Sequence, residues 1–325
     1  MKVFSQPGKD PRLQPTPDYG ALGPAADAKF GDRKPIEPGG PSMRAYAVVC
    51  AGIALGILCA AIARSGAVEK LWQEISRATA QQRSSRAVRS RSADPAAQAQ
   101  AETLLQRAVG HDAAARDEIA AHLDEWRGKI EFSDRLNGLM TAGLNSDDLE
   151  VRGITIDVDL AALDVSKTSA SIDSFERQAL TGPQNQRVWA LWTLGLLGNR
   201  GVEPERVARI LQSQLQDSNV EVRHWAVEGL AYLGTSDAIQ PLLKSMRDDP
   251  SPMVRERAAC SLAQSGMLTH AQRQSVVPTL IGYAEDPSLD ASTRAWTYHA
   301  LSDITGQTMP NDPAAWRRWY NSSAR

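Results

Sequence analysis

Tryptophan and acidic side chains recur at set distances from four arginines, and these are the residues of the chain best suited to recognition chemistry. Arg187 begins RVWALWTLGLLG, Arg223 begins RHWAVEGLAYLG, Arg255 begins RERAACSLAQSG and Arg294 begins RAWTYHALSDIT. Two residues after the arginine stand Trp189, Trp225 and Trp296, with Trp192 further along the first segment. Glu221, His224, Glu228 and Glu256 lie in or just before the same segments. Aromatic side chains dominate binding hot spots, and an acidic surface complements a partner with exposed basic groups. Trp189, Trp192, His224, Trp225, Glu228 and Trp296 therefore form the candidate partner-binding set. Each has a plainer reading beside it. Tryptophan is mostly buried in proteins, so packing between neighbouring segments competes with display. A histidine next to a tryptophan is more often a surface group than a ligand. The arginines either bind an acidic ligand or tie neighbouring segments through Asp–Arg contacts, and the regular spacing favours the second.

Covalent and metal chemistry find little support. Cys50 and Cys59 lie in an apolar run, and Cys260 sits beside Ala258 and Ala259 on a small-residue face, where a buried thiol is expected. Five histidines without paired Cys or His spacing do not make a zinc site. Asp147 and Asp148 read as a helix cap, and Asp157 with Asp159 lacks the spacing of a calcium loop. No nucleophile signature, phosphate loop or dinucleotide fingerprint is present. The expectation is a non-enzyme with no cofactor and no resident metal.

The recurrence also dictates the elements. Three residues after each arginine stand Ala190, Ala226, Ala258 and Thr297, and seven after stand Leu194, Leu230, Leu262 and Leu301. Small and large residues one turn apart let a helix nest on its neighbour. Gly198, Gly234 and Gly266, eleven after, are expected to stop their helices as left-handed C-caps. Between these helices lie shorter amphipathic runs, Val207-Ile210-Leu211-Leu215, Ile239-Leu242-Leu243-Met246 and Val276-Val277-Leu280-Ile281. Each unit is two antiparallel helices unable to bury its own apolar face, so stacking must supply the core.

The pattern resembles HEAT repeats, most closely the bacterial type also found in phycobilisome lyases. It is carried by Asp217 with Val222-Arg223 and by Asp249 with Val254-Arg255; it is looser at Asp286 with Arg294 and departs at Gln186-Arg187. A weaker copy begins at Val151-Arg152, with Thr155 in the Ala place and Asp159 in the Leu place. The resemblance covers roughly residues 97–306 and is strongest over 181–306. It implies an all-α fold, a right-handed α-α superhelix of the HEAT/armadillo-like solenoid kind, whose second helices line the concave surface. A closing helix is expected over 313–321, with Asp312 as N-cap and Trp316, Trp319 and Tyr320 covering the last unit.

The N-terminal third is different in kind. Residues 1–44 include Pro7, Pro11, Pro15, Pro17, Pro24, Pro35, Pro38 and Pro41 and read as a disordered tail. Ala45 to Ala63 carries no charge and is bracketed by Arg44 and Arg64. As a helix it would run about 28 Å, close to the roughly 30 Å core of a bilayer. It reads as a single transmembrane helix over 45–64, or as a signal sequence cleaved from a product begun at Met43. Residues 65–95 read as a helical extension and a basic linker holding Arg83, Arg86, Arg89 and Arg91. Basic residues flank the span on both sides, so its orientation leans only slightly towards an extracytoplasmic solenoid.

The full chain carries a formal net charge of −2 over 325 residues, 42% of them hydrophobic. Residues 95–325 hold 22 Lys/Arg against 30 Asp/Glu, which argues against nucleic acid as a partner. Together these features point to a membrane-anchored scaffold or adaptor that binds a protein partner, one with a basic surface. An architectural subunit of a larger membrane complex is the alternative, and a bilin-lyase-like accessory enzyme follows only from the resemblance.

Overall fold

Helices begin where the sequence supplies caps. The computed structural model describes residues 93–323. The tail over 1–44, the apolar run over 45–64 and almost all of the 65–95 linker lie outside the described residues. Among the described residues no helix is long and apolar enough to cross a membrane, and no strand is present.

Asp94 caps α1 (Pro95–Val109) by accepting from the Ala96 N–H at 2.9 Å, with Pro95 at the first helical position. Then follow α2 (Ala113–Trp126), α3 (Asp134–Leu144), α4 (Leu149–Ala162), α5 (Ser169–Thr181) and α6 (Gln184–Asn199). The chain continues through α7 (Pro204–Gln214), α8 (Val220–Leu233), α9 (Ile239–Asp248) and α10 (Pro252–Ala263). It ends with α11 (His270–Ser275), α12 (Val277–Glu285), α13 (Ala291–Thr305) and α14 (Pro313–Ser323). Each of the pairs α5/α6, α7/α8, α9/α10 and α12/α13 packs as a unit, and their second helices pack in the order α6, α8, α10, α13.

The Ala and Leu places do what their sizes suggest. Ala190, Ala226 and Ala258 are fully buried, as are Leu194, Leu230, Leu262 and Leu301. The nearest approach is between α6 and α8: a Cβ on Gly195 would meet the carbonyl oxygen of Gly229, so both positions exclude any side chain. Of the three glycines expected to cap, Gly234 does so at φ 68°. Gly198 does not; it stays inside α6, pressed against Leu233 and Val207 of the next unit. Gly266 has φ 73° but lies beyond the end of α10.

The closing helix forms as its sequence implies. Asp312 accepts from the Ala314 N–H at 3.0 Å, Trp316 is fully buried, and Arg317 grips Glu285 of α12 at 2.9 and 2.6 Å.

The weak early copy at Val151-Arg152 becomes the most enclosed helix of the structure. Every residue of α4 from Val151 to Ala162 is buried. It divides its side chains between two cores: Ile154, Val158 and Ala161 join one with α1 to α3, while Ile156 and Leu160 join the long core running to Trp316. A helix shared in this way needs apolar groups all round. Three of its buried polar residues, Arg152, Thr155 and Asp157, are placed against specific partners. Thr155 donates to the Val151 carbonyl, and Asp157 receives Lys167 at 2.9 Å and Arg200 at 2.8 Å.

Arg152 does something a simple stack would not. Its guanidinium donates to the carbonyls of Gln264 at 2.9 Å and Gly266 at 2.5 Å, 112 and 114 residues along the chain. In a regular solenoid a unit contacts only its neighbours. Here α4 reaches the end of α10, so the array closes on itself. The same carbonyl-rich end is held by Arg273 of α11, which donates to Ser261, Leu262, Ser265 and Leu268. The two guanidiniums thus satisfy carbonyls that the last turn of α10 would otherwise leave without donors.

Candidate functional site

The arginines turn out to tie units together. Arg187 pairs with Asp217, Arg223 with Asp249 at 2.8 and 3.1 Å, and Arg255 with Asp290 at 3.2 Å. Arg223 and Arg255 each also donate to the carbonyl six residues back, that of Asp217 at 2.9 Å and of Asp249 at 2.7 Å. Asp249 thus accepts from Arg223 while its own carbonyl receives Arg255, which makes a continuous ladder. Burial would raise the Asp217 carboxyl, but hydrogen bonds from Arg187 and the Asn219 N–H hold it below the usual range. Asp286 instead meets Arg247 of α9 at 3.1 Å, because the longer loop here hands the ladder position to Asp290. Arg294, in the last unit, donates to the Leu289 carbonyl.

The candidate partner-binding residues separate into two groups. Trp192, Trp225 and Glu228 are 1%, 5% and 3% exposed, which makes them interior groups. Trp192 lies tilted against Trp189, with ring centroids 5.3 Å apart, and meets Tyr232 edge-on at 6.2 Å. Glu228 pairs with Arg257, which occupies the tryptophan place of α10 two residues after Arg255. Burial pushes the Glu228 carboxyl above the ordinary glutamate range while Arg257 pulls against it. These side chains close the inner face of α6 and α8 from within.

Trp189, His224 and Trp296 keep partial exposure. His224 is crowded from all sides yet still touches solvent. Desolvation, with Arg257 nearby, pushes its imidazole down to about 3, so it is neutral at physiological pH. Trp296 faces a different setting. It lines a shallow recess, with room for about one water, together with His299 and Asp303 of α13 and with Ala259, Cys260, Ala263 and Ala300. The spacing of Trp296, His299 and Asp303 places them on one stripe of the helix. Cys260 is 3% exposed, and burial pushes its thiol up to about 12, with Arg257 opposing and Glu256, Asp303 and Glu228 adding to the rise. Such a thiol is not a nucleophile at neutral pH. Among the described residues no group of three or more His, Cys, Asp or Glu is placed to hold a metal ion.

His299 and Asp303 are absent from the candidate set read from the sequence. The signal that finds them is the small side chain opposite. Cys260 leaves room where Trp192 stands at the corresponding place of α6.

A family model described as HEAT repeats matches residues 175–263, from within α5 to the end of α10. No curated protein matches the chain. The match falls on the stretch where the Asp–Arg ladder is regular, and the helices on either side continue the same packing. Residues 175–263 are similar to HEAT repeats, and the described part of the chain around them is all-helical.

Proposed function

We propose that this chain is a non-catalytic protein-interaction scaffold, held at a membrane through residues 45–63, that presents the inner face of its last units to a partner with exposed basic groups. One observation carries the reading: Trp296, His299 and Asp303, none of them buried, line a shallow recess along α13. A partly exposed tryptophan beside a carboxylate is the composition of an interface anchor. The acidic balance of residues 95–325 favours a basic partner over an acidic one. Membrane attachment rests on the uncharged run over 45–63, and a tail carrying seven Lys/Arg favours leaving the solenoid on the extracytoplasmic side.

The test uses the full chain in intact cells, with a photo-crosslinking residue at Gln264, exposed beside the recess, or at Arg209, exposed on α7. Discrete protein adducts from Gln264 and none from Arg209 are expected. Adducts only from Arg209, or from neither position, overturn the reading. Digestion of a C-terminal tag by protease added to spheroplasts is expected, and a protected tag reverses the assigned side.

A further inference from the structure

We infer that α4 is a releasable strap across the ends of the inner helices, anchored at α6 and latched at α10 by Arg152, and that Arg152 leaves the latch for Asp147 when the strap opens. The inference goes beyond the scaffold reading and does not depend on it. Asp157 meets Arg200, just past the end of α6, at 2.8 Å, and a Cβ on Gly153 would stand 3.0 Å from the Nη1 of the same guanidinium. Five residues before Asp157, Arg152 reaches the turn after α10. Tyr232, near the end of the intervening α8, is acted on electrostatically by Arg152 and Asp159 of α4 and by the Glu228–Arg257 pair. One helix thus links the ends of three successive inner helices, with Tyr232 beneath it.

The two attachments differ in kind. Towards α6, Ile156 and Leu160 belong to the long apolar core, and Asp157 is held by Lys167 as well as by Arg200. At α10 the hydrogen bonds come from one side chain and go to two backbone carbonyls. Apolar burial resists parting, whereas a polar contact exchanged for water costs little net. The receiving turn also has supports of its own. Arg273 donates to carbonyls from Ser261 to Leu268, and the Met267 N–H donates to the Ala231 carbonyl of α8 at 2.8 Å. Closure brings two guanidiniums to the same carbonyl-rich end: Arg152 and Arg273 are both more than nine-tenths buried, and desolvation together with Arg152 pushes Arg273 down to about 10. Asp147 offers the other position. Its exposed carboxylate already acts on Arg152, and it adjoins Ser146, whose carbonyl receives the Arg152 Nε at 2.5 Å. A carboxylate is a stronger acceptor for a guanidinium than a carbonyl is, and an exposed ion pair is worth little, which keeps the two positions close in free energy. Release opens Tyr232 and the Glu228–Arg257 layer behind it.

The experiment measures double electron–electron resonance on the full chain in a neutral maltoside detergent, with Cys50→Ser and Cys59→Ser and nitroxides on Ala120→Cys of α2 and Lys244→Cys of α9, both exposed positions. This background is expected to give one narrow distance. Arg152→Met is expected to add a second distance, and Arg152→Lys a smaller share of it. Arg200→Met, at the anchored end, is expected to keep the single distance. Hydroxyl-radical footprinting of the same proteins reads what the strap covers: Tyr232 oxidation is expected to rise at least fivefold in Arg152→Met and to fall about threefold in Asp147→Asn. Tyr298 of α13, equally buried but away from the strap, is expected to stay unchanged in both. Hydrogen exchange in α1 to α3 is expected to keep its wild-type protection in Arg152→Met. An unaltered distance and Tyr232 rate in Arg152→Met, or the same second distance in Arg200→Met, overturns the strap. Lost protection in α1 to α3 makes Arg152 a folding brace and overturns it too. An unchanged Tyr232 rate in Asp147→Asn overturns the exchange with Asp147.

Discussion

The inner face of α6 and α8 and that of α10 and α13 are built on the same repeat and reach opposite ends. In the first, the places two and five residues after the arginine hold Trp189, Trp192, Trp225 and Glu228. All but Trp189 are interior, sealed further by Tyr232 and by the Glu228–Arg257 pair. In the second, the same places hold Arg257, Cys260, Trp296 and His299, and a recess opens. Helix packing is set by the Ala and Leu places, which are alike in both regions. What decides whether an inner face is core or surface is therefore the bulk of the neighbouring side chains. Two large groups facing each other close it, and a Cys or Ala facing a Trp leaves it open.

The sharpest way to break this comparison is to remove the same residue type from each region. Trp192→Ala is expected to cost about 3–5 kcal/mol, since a fully buried indole leaves a cavity that the surrounding helices cannot fill. Trp296→Ala is expected to cost less, about 1–2 kcal/mol, because Trp296 is only partly buried against the core. Urea unfolding of both variants measures the difference. Equal losses would mean that Trp296 is core and that the recess is an incidental gap.

Arg152→Met tests the closure that encloses α4. The variant loses donors to the carbonyls of Ser146, Gln264 and Gly266. Carbonyls left buried without donors cost about 1–3 kcal/mol each, so the expected loss is about 2–3 kcal/mol after partial rehydration. Hydrogen exchange gives the finer readout: amides of the segment after α10 and of α4 should speed up together, while α7 should not change. A loss confined to α4 would show that the contact with Gly266 contributes nothing to holding the array shut.

Much of this was legible before any coordinates, and the exceptions have physical causes. Ala190, Leu194 and their counterparts announce the stack because packing depends on side-chain size at helical spacing. The Asp–Arg ladder was legible from the recurrence of Asp217 and Asp249 ahead of Arg223 and Arg255. Which tryptophan is core was not, since Trp192 and Trp296 look alike until their neighbours across the interface are known. Gly198 reads as a cap from its place after the helix pattern, but a neighbour 35 residues on, Leu233, needs its missing side chain. The closure by Arg152 is invisible to any repeat reading, because a repeat describes contacts between adjacent units and this one skips over them.

The smallest effect concerns pH and separates the two regions again. His224, on the partly open floor of the closed region, has its imidazole held down to about 3 by burial and by Arg257. An unfolded histidine titrates near 6.5, so between those values the unfolded chain binds a proton that the folded chain refuses. Stability then rises with pH across that window and is lost as pH falls below about 6.5, with a slope of up to about 1.4 kcal/mol per pH unit. Carboxylates held low, such as Asp217 and Asp290, act in the same direction but only below the ordinary carboxylate range. Below pH 6.5 the loss should therefore trace to His224, offset in part by Glu228, whose buried carboxyl is held above the ordinary range and acts in the opposite direction. Urea midpoints taken across that interval should fall for wild type and stay nearly level for His224→Gln. An unchanged slope in the variant would show that protonated His224 is accommodated, and that its surroundings are wetter than its crowding implies.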